Sequence, residues 1–221
     1  MGEPRKEAMA ATTEPNHAET TPANAGLLAE PLADSFALET PRLRLRPPTE
    51  ADCDDLLAAV NDSLPQFERW LVFCQGGYTR DACQAWIRKV VASWRESRDF
   101  AFAIVERTSG DVIGATGLNR IDVLGRWANL GYWLRTDRSG RGYGTEAALA
   151  VVRFGFDLLS LQRIEIFADV ENVGSRRVAE KLGATFEGIA RNRAPVAGVN
   201  HDAAVYSLIP TDALPRDTAA N

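Results

Sequence analysis

Between the alternating run "ANLGYWLR" at 128–135 and a stretch of helix formers lies "RSGRGYGTEA" at 138–147, with glycines at 140, 142 and 144. No other feature restricts the fold so sharply. Glycine holds helices and strands poorly, so three within five positions mark a place where the backbone must bend or be approached closely. A strand passing through such a turn into a helix presents the helix's first N–H groups, with the macrodipole behind them, above the loop. Without Cβ atoms at Gly140, Gly142 and Gly144, a phosphate can come close to those groups. The usual nucleotide loops do not fit, because no Lys-Ser or Lys-Thr pair follows the last glycine and the spacing is not G-x-G-x-x-G. Taken alone, the cluster reads equally well as a structural turn.

The flanking sequence supplies a scaffold. Leu43 and Leu45 alternate with Arg42, Arg44 and Arg46, as in a half-exposed strand. Thr49, with Asp52 three residues on, opens a helix reaching about Asn61, and "LPQFERWLVF" predicts a short amphipathic helix. A longer helix follows Thr79, with Ala82, Trp86, Val90 and Trp94 at four-residue steps and its aromatics read as core. "FAFAIVER" and "VIGATGLNRI" flank the turn "TSGD" as an antiparallel hairpin, and "ANLGYWLR" is the next strand. Residues 145 to about 160 predict a helix with Ala148, Val152 and Leu159 inward, and "RIEIFA" a strand with Ile164, Ile166 and Ala168 on one face. "NVGSRRVAEKLG" is a short helix capped by Asn172 and closed by Gly183, before two strands at about 184–193 and 202–209. The fold class is therefore α+β, with one mixed central sheet of about six to seven strands flanked by helices.

Composition sets limits. The formal charge of -5 lacks the basic excess of a general nucleic-acid binder. An acidic surface suits a cationic partner such as an amine, and equally serves solubility. Six acids, two bases, four prolines and no aromatic residue fall in residues 1–35, which are read as a disordered arm. Residues 36–210 then form the domain and 211–221 a flexible tail. No apolar h-region follows Arg5 and Lys6, and Lys6 stands where a myristoylation signal needs Ser or Thr. With no apolar stretch of membrane-spanning length either, a cytoplasmic protein without a membrane partner is expected. Cys53, Cys74 and Cys83, odd in number and without C-x-x-C spacing, read as reduced thiols. His17 and His201 are the only histidines, so no histidine metal site is expected.

The stretch "NLGYWLRTDRSGRGYGTEAALAVVRFGFDLLSLQRIEIFADVENVGSRRVAEKLGATFEG" resembles the heart of the GCN5-related N-acetyltransferase (GNAT) superfamily. More narrowly, it is similar to the branch that acetylates the N-terminal alanine or serine of ribosomal proteins. Three elements recur in order, G-Y-W-L, the R-G-x-G loop and N-x-x-S-x-x-x-x-x-K-L-G, and the likeness runs from about Leu43 to Pro210. The family's pyrophosphate motif is Gln or Arg, two residues, Gly, one residue, then Gly or Ala. Gly142 and Gly144 match it, while Ser139 stands at the Gln/Arg position. The resemblance implies splayed central strands, no metal, and acetyl-CoA as cosubstrate. Its pyrophosphate would lie on the loop Ser139, Gly140, Arg141, Gly142, Tyr143, Gly144 and Thr145, and its pantetheine along Trp133 and Leu134. Asn172, the helix cap, would touch the cofactor too, and Ser175 matches the position where this branch sets a hydroxyl near the leaving sulfur.

Backbone N–H groups of the "GYWL" strand could polarise the thioester carbonyl, and a thiol of pKa about 8.5 leaves as a fairly stable anion. Ser175 therefore need only donate a hydrogen bond, though as an ordinary serine in a first helical turn it needs no function. No general base is evident. Relatives often carry a Glu on the "GYWL" strand or the penultimate strand, where Asn129 and Ala194 stand here, and His201 with Asp202 reads as a turn pair. A lysine amine at about 10.4 costs roughly 4.6 kcal/mol to neutralise at pH 7, whereas an α-amine at about 7.8 is already about a seventh neutral. The leading acceptor is thus a protein N-terminal α-amine. A small-molecule amine is the alternative, and an idle acyl-CoA-binding module a third reading. Acceptor identity is expected in the loops at 62–79 and 194–201, and a homodimer is compatible with the sequence.

Overall fold

The computed structural model describes residues 27–28, 30, 32–33, 35–196 and 198–215. Its strands are β1 (Leu38–Glu39), β2 (Leu43–Arg46), β3 (Phe100–Glu106), β4 (Val112–Asp122), β5 (Trp127–Leu134), β6 (Arg163–Asp169), β7 (Thr185–Val196) and β8 (Val199–Leu208). They form one sheet in the order β1-β2-β3-β4-β5-β6-β8-β7. Only β5 and β6 run parallel; the other pairs are antiparallel. The sheet has eight strands rather than six to seven because "LE" at 38–39 pairs with Leu45 and Arg44. Two residues carry no alternation from which a strand can be read.

Five α-helices flank the sheet: α1 (Cys53–Asn61), α2 (Leu64–Phe67), α3 (Arg80–Arg95), α4 (Tyr143–Arg153) and α5 (Val173–Lys181). Thr49 and Asp52 form the expected capping box, through a short 3₁₀ turn ahead of α1. The helix expected over "LPQFERWLVF" is only one turn, α2, followed by a separate 3₁₀ turn at Val72–Cys74. On α3 the buried stripe is Cys83, Ile87, Val90 and Trp94, while Ala82 is exposed and Trp86 half-buried. A 3.6-residue period needs steps of four, three and four, and a strict four-residue step drifts off the buried face.

Two layers of core follow from the alternation of β3. Phe100, Phe102 and Ile104 pack with Leu43, Leu45, Ala147, Val151, Val152 and Phe154. Ala103, pointing the other way, packs with Cys53 and Leu56 of α1 and Cys83 and Ile87 of α3. Trp94 stands edge-on to Phe100 and Phe102 at 5.1 and 5.0 Å and donates its indole N–H to the Ala101 carbonyl at 2.8 Å. After α4 the chain widens into a π-helical turn, Phe154–Leu158, where Ile164 Cδ1 lies 2.8 Å from where a Cβ on Gly155 would sit.

The domain edges extend past those read from the sequence. Leu27, Leu28 and Leu32, within the stretch taken as arm, pack on the main core, as does Leu214 in the stretch taken as tail. Their short leucine pattern is swamped by the polar residues around it. Residues 1–26, 29, 31 and 34 of the expected arm, and residues 216–221, lie outside the described residues. Among the described residues no helix is long and apolar enough to cross a membrane.

Candidate active site

β5 and β6 are paired only at Trp127↔Arg163, Ala128↔Ile164 and Asn129↔Glu165. Both strands then continue, each held on its far side. β4 accompanies β5 as far as Leu134↔Gly114, and β8 accompanies β6 as far as Asp169↔Ala203. From residue 130 onward, facing backbone groups of β5 and β6 therefore lack a sheet partner across the gap, and such groups want one. The gap opens into a cavity of about 610 Å³. Gly131, Tyr132 and Trp133 line it from β5, Phe167 and Asp169 from β6, and Asn172 and Ser175 from the start of α5. Residues 70–73 and 193–196 form its outer wall, so parts of both stretches expected to read the acceptor reach it.

Asn172 caps α5 as expected, its Oδ1 accepting the Ser175 N–H at 3.0 Å. Ser175 is not isolated. The Tyr132 hydroxyl lies 3.1 Å from Ser175 Oγ and donates to the Ser175 carbonyl at 3.0 Å. Burial pushes the Tyr132 phenol up to about 12, so it keeps its proton at working pH. Trp133 lines the cavity and packs against Phe67 and Phe73, with centroids 5.5 and 6.3 Å away. Leu134, expected beside it, packs on the main core instead of lining the cavity.

The glycine loop sits at the N-terminus of α4. Gly140 and Gly142 have φ of +77° and +84°, the left-handed region that side chains resist, and Gly142 is the N-cap residue of α4. Gly144 has no such φ, so the first two glycines carry the conformational demand. The loop is pinned from behind. Arg42 grips Glu146 at 2.6 Å, donates to the Arg141 carbonyl at 2.9 Å, and lies 4.4 Å from the centre of the Tyr143 ring. Tyr143 donates its hydroxyl to Glu106 at 2.5 Å, and Arg138 reaches the same carboxylate at 3.2 Å. That tyrosine bond, helped by Arg138, holds the Glu106 carboxyl below its usual range. The Tyr143 ring is thus committed to contacts within the protein. Ser139 bonds weakly back to the Arg135 carbonyl at 3.4 Å, Thr145 lies in the first turn of α4, and Arg141 makes no ion pair among the described residues.

Three features escaped the sequence reading. Tyr132 was read only for its backbone, yet a buried tyrosine tip needs a polar partner, and strand alternation places it on the face opposite Trp133. His201 and Asp202 lie within β8 rather than in a turn. His201 Nδ1 meets Asp169 Oδ2 at 2.7 Å, and Asp202 accepts the Asn192 N–H at 2.9 Å. Asn129, at the fork where the strands part, donates to Asn119 Oδ1 at 3.0 Å, while its own Oδ1 is buried with no partner among the described residues. The carboxylates on the cavity wall are both engaged, Asp99 by the Arg120 N–H at 3.1 Å and Asp169 by His201 and the Glu171 N–H at 2.8 Å.

The Acetyltransferase (GNAT) domain family matches residues 42–185. YdaF of Bacillus subtilis (strain 168), provisionally named a ribosomal N-acetyltransferase, is 29% identical over 160 residues, covering 72% of this chain and 86% of its own. A crystallised GCN5-related N-acetyltransferase from Brucella melitensis is 32% identical with a TM-score of 0.68, covering 81% of this chain and 82% of its own. A structure from Vibrio cholerae, provisionally titled a ribosomal-protein-serine acetyltransferase, is 29% identical with a TM-score of 0.68, covering 81% of this chain and 100% of its own. With the family match running from β2 to the first residue of β7, across the parted strands and the glycine loop alike, the chain belongs to the GNAT family of acetyltransferases.

Proposed function

We propose that this N-acetyltransferase takes its acetyl group from acetyl-CoA and delivers it to a protein N-terminal α-amine. The observation that carries this reading is the parting of β5 from β6, which leaves two unpaired strand edges beside a hydroxyl pair. The residues present fit an extended thioester with an anionic end. The free edge of β5 at Trp133 and Leu134 offers main-chain groups to a pantetheine arm, although only Trp133 lines the cavity. At the other end, the backbone of Gly140, Gly142, Tyr143, Gly144 and Thr145, with Arg141, which makes no ion pair among the described residues, offers donors to a pyrophosphate, whereas the Ser139 N–H is taken by the Thr136 carbonyl at 3.1 Å. Asn172 keeps the first turn of α5 in place beside it.

Acetyl-CoA supplies an activated acyl group: the amine lone pair forms the C–N bond as the C–S pair departs on sulfur. Main-chain N–H groups on β5 favour the negative charge that grows on the carbonyl oxygen. The Ser175 hydroxyl donates to the departing thiolate, which needs a hydrogen bond rather than a strong acid at pKa about 8.5. The unpartnered Asn129 Oδ1 is suited to accept an N–H from the incoming amine. In this reading the amine's surplus proton goes to water; Asp169 is held by His201 and the Glu171 N–H, and Asp99 accepts the Arg120 N–H.

That last point favours the α-amine. With water as the proton acceptor, a lysine acceptor carries its full cost of roughly 4.6 kcal/mol for neutralisation, and an N-terminal amine about 1 kcal/mol. The names of the Bacillus and Vibrio relatives point the same way, and a cytoplasmic enzyme is the reading consistent with a ribosomal acceptor. The test pairs peptides with free N-termini against the same peptides N-terminally blocked but bearing lysine, with the acetylated nitrogen located by mass spectrometry. Acetyl on the α-amine is expected. Equal or faster acetylation of lysine would overturn the acceptor assignment, and turnover confined to small amines would move it to that class.

A further inference from the structure

Ser175 and Tyr132 reach each other from opposite arms of the fork. Tyr132 lies on β5 three residues past the last paired position, Asn129, and Ser175 lies in the first turn of α5, six residues beyond the end of β6. Their hydroxyls meet at 3.1 Å, and the Tyr132 O–H is also 3.0 Å from the Ser175 carbonyl. We propose that Tyr132 is a positioning residue that turns the Ser175 hydroxyl proton toward the departing sulfur and ties α5 to β5 at that depth. The proposal rests on the acetyl-transfer reading above.

A serine in a first helical turn has three staggered rotamers and readily bonds to nearby main-chain groups, so its proton has no fixed direction. Two hydroxyls in contact form a chain that runs either way. With the tyrosine proton on the Ser175 carbonyl, the serine donates to the phenol oxygen. With the tyrosine proton on Ser175 Oγ, the serine must donate elsewhere, and the cavity is the side that Ser175 lines. Negative charge growing on sulfur selects the second arrangement, and each bond in such a chain strengthens the next. No proton changes owner: sulfur leaves with the C–S electron pair and later takes its proton from solvent. The phenol, held at about 12, cannot compete as an acid with a thiol of about 8.5.

The experiment compares wild type, Tyr132→Phe, Ser175→Ala and the double variant, each with a melting curve. Two quantities are read: the kcat and KM for acetyl-CoA, and the pKa of the thiol of bound CoA, followed without turnover by thiolate ultraviolet absorbance. Tyr132→Phe should lower kcat about 3- to 10-fold with KM unchanged, and raise the bound thiol pKa. Because the tyrosine acts through the serine, the double variant should be no slower than Ser175→Ala. A double variant slower by the product of the two single losses would overturn the proposal, as would wild-type kcat and thiol pKa in Tyr132→Phe. If Ser175→Ala itself keeps wild-type kcat, the serine's role in the proposed transfer fails, and this proposal with it. Loss in Ser175→Ala alone removes only the tyrosine. Should Tyr132→Phe melt early, Tyr132→Met at a lower temperature gives the same thiol titration.

Discussion

Replacing Gly142 with valine puts the largest single stress on the loop proposed to hold the pyrophosphate. Gly142 caps α4 at φ +84°, where an L side chain costs about 1–2 kcal/mol and a β-branched one sits at the upper end. A Cβ there would also lie 3.3 Å from Arg42 Nη2, so the guanidinium must give by a few tenths of an ångström. That guanidinium is not idle, since it holds Glu146 at 2.6 Å and the Arg141 carbonyl at 2.9 Å. A net loss of about 2 kcal/mol corresponds to a fall in Tm of roughly 4–8 °C for a domain of this size. The fold survives that loss. CoA affinity should fall more than tenfold, because relaxing the strain turns the loop N–H groups away from their common direction. Calorimetry with CoA beside thermal melting separates the two effects. A lowered Tm with unaltered CoA affinity would show the loop to be a structural turn only, and an unaltered Tm would contradict the left-handed backbone itself.

Other expectations follow from individual contacts. Deleting residues 1–26 should leave Tm and turnover on a short peptide unaltered, whereas deleting 1–34 should lower Tm, because Leu27, Leu28 and Leu32 pack on the core. Asn129→Leu should raise the KM for the amine about 5- to 10-fold and leave that for acetyl-CoA alone, as expected from losing one hydrogen bond; steady-state kinetics on both substrates decides it. Two contacts of 2.6 Å from Arg163, with help from Ser207, hold the Glu187 carboxyl down to about 2. Its stabilising contribution is present above the ordinary value of about 4.3 and lost as pH falls toward 2, so acid melting curves of Glu187→Gln should be flatter across that window.

Local signals carried much of this architecture. The hairpin around "TSGD", the strand–glycine–helix junction and the Asn172 cap could all be read because each is written in one short contiguous stretch of neighbouring residues. The parted strands came only with the family resemblance, since parallel register leaves no trace in alternation. What stayed hidden is long-range. Tyr132 meets Ser175 across 43 positions and His201 meets Asp169 across 32, and no periodicity encodes such pairs. The facing of the β5 side chains was hidden for a different reason: alternation tells which residues share a face but not which face meets the cavity. The same holds on α3, where Cys83 and Ile87, rather than Ala82 and Trp86, line up with Val90 and Trp94 once the true helical period is imposed.

The most direct test of the account is a single reaction: purified protein, acetyl-CoA and a peptide with a free N-terminus, with thiol release and peptide mass followed together. One acetyl should appear on the α-amine for each thiol released, at a rate that depends on enzyme concentration. CoA binding with no thiol release above the water background, over N-terminal peptides, lysine peptides and small amines alike, would contradict the assignment and leave an acyl-CoA-binding module in place of an enzyme.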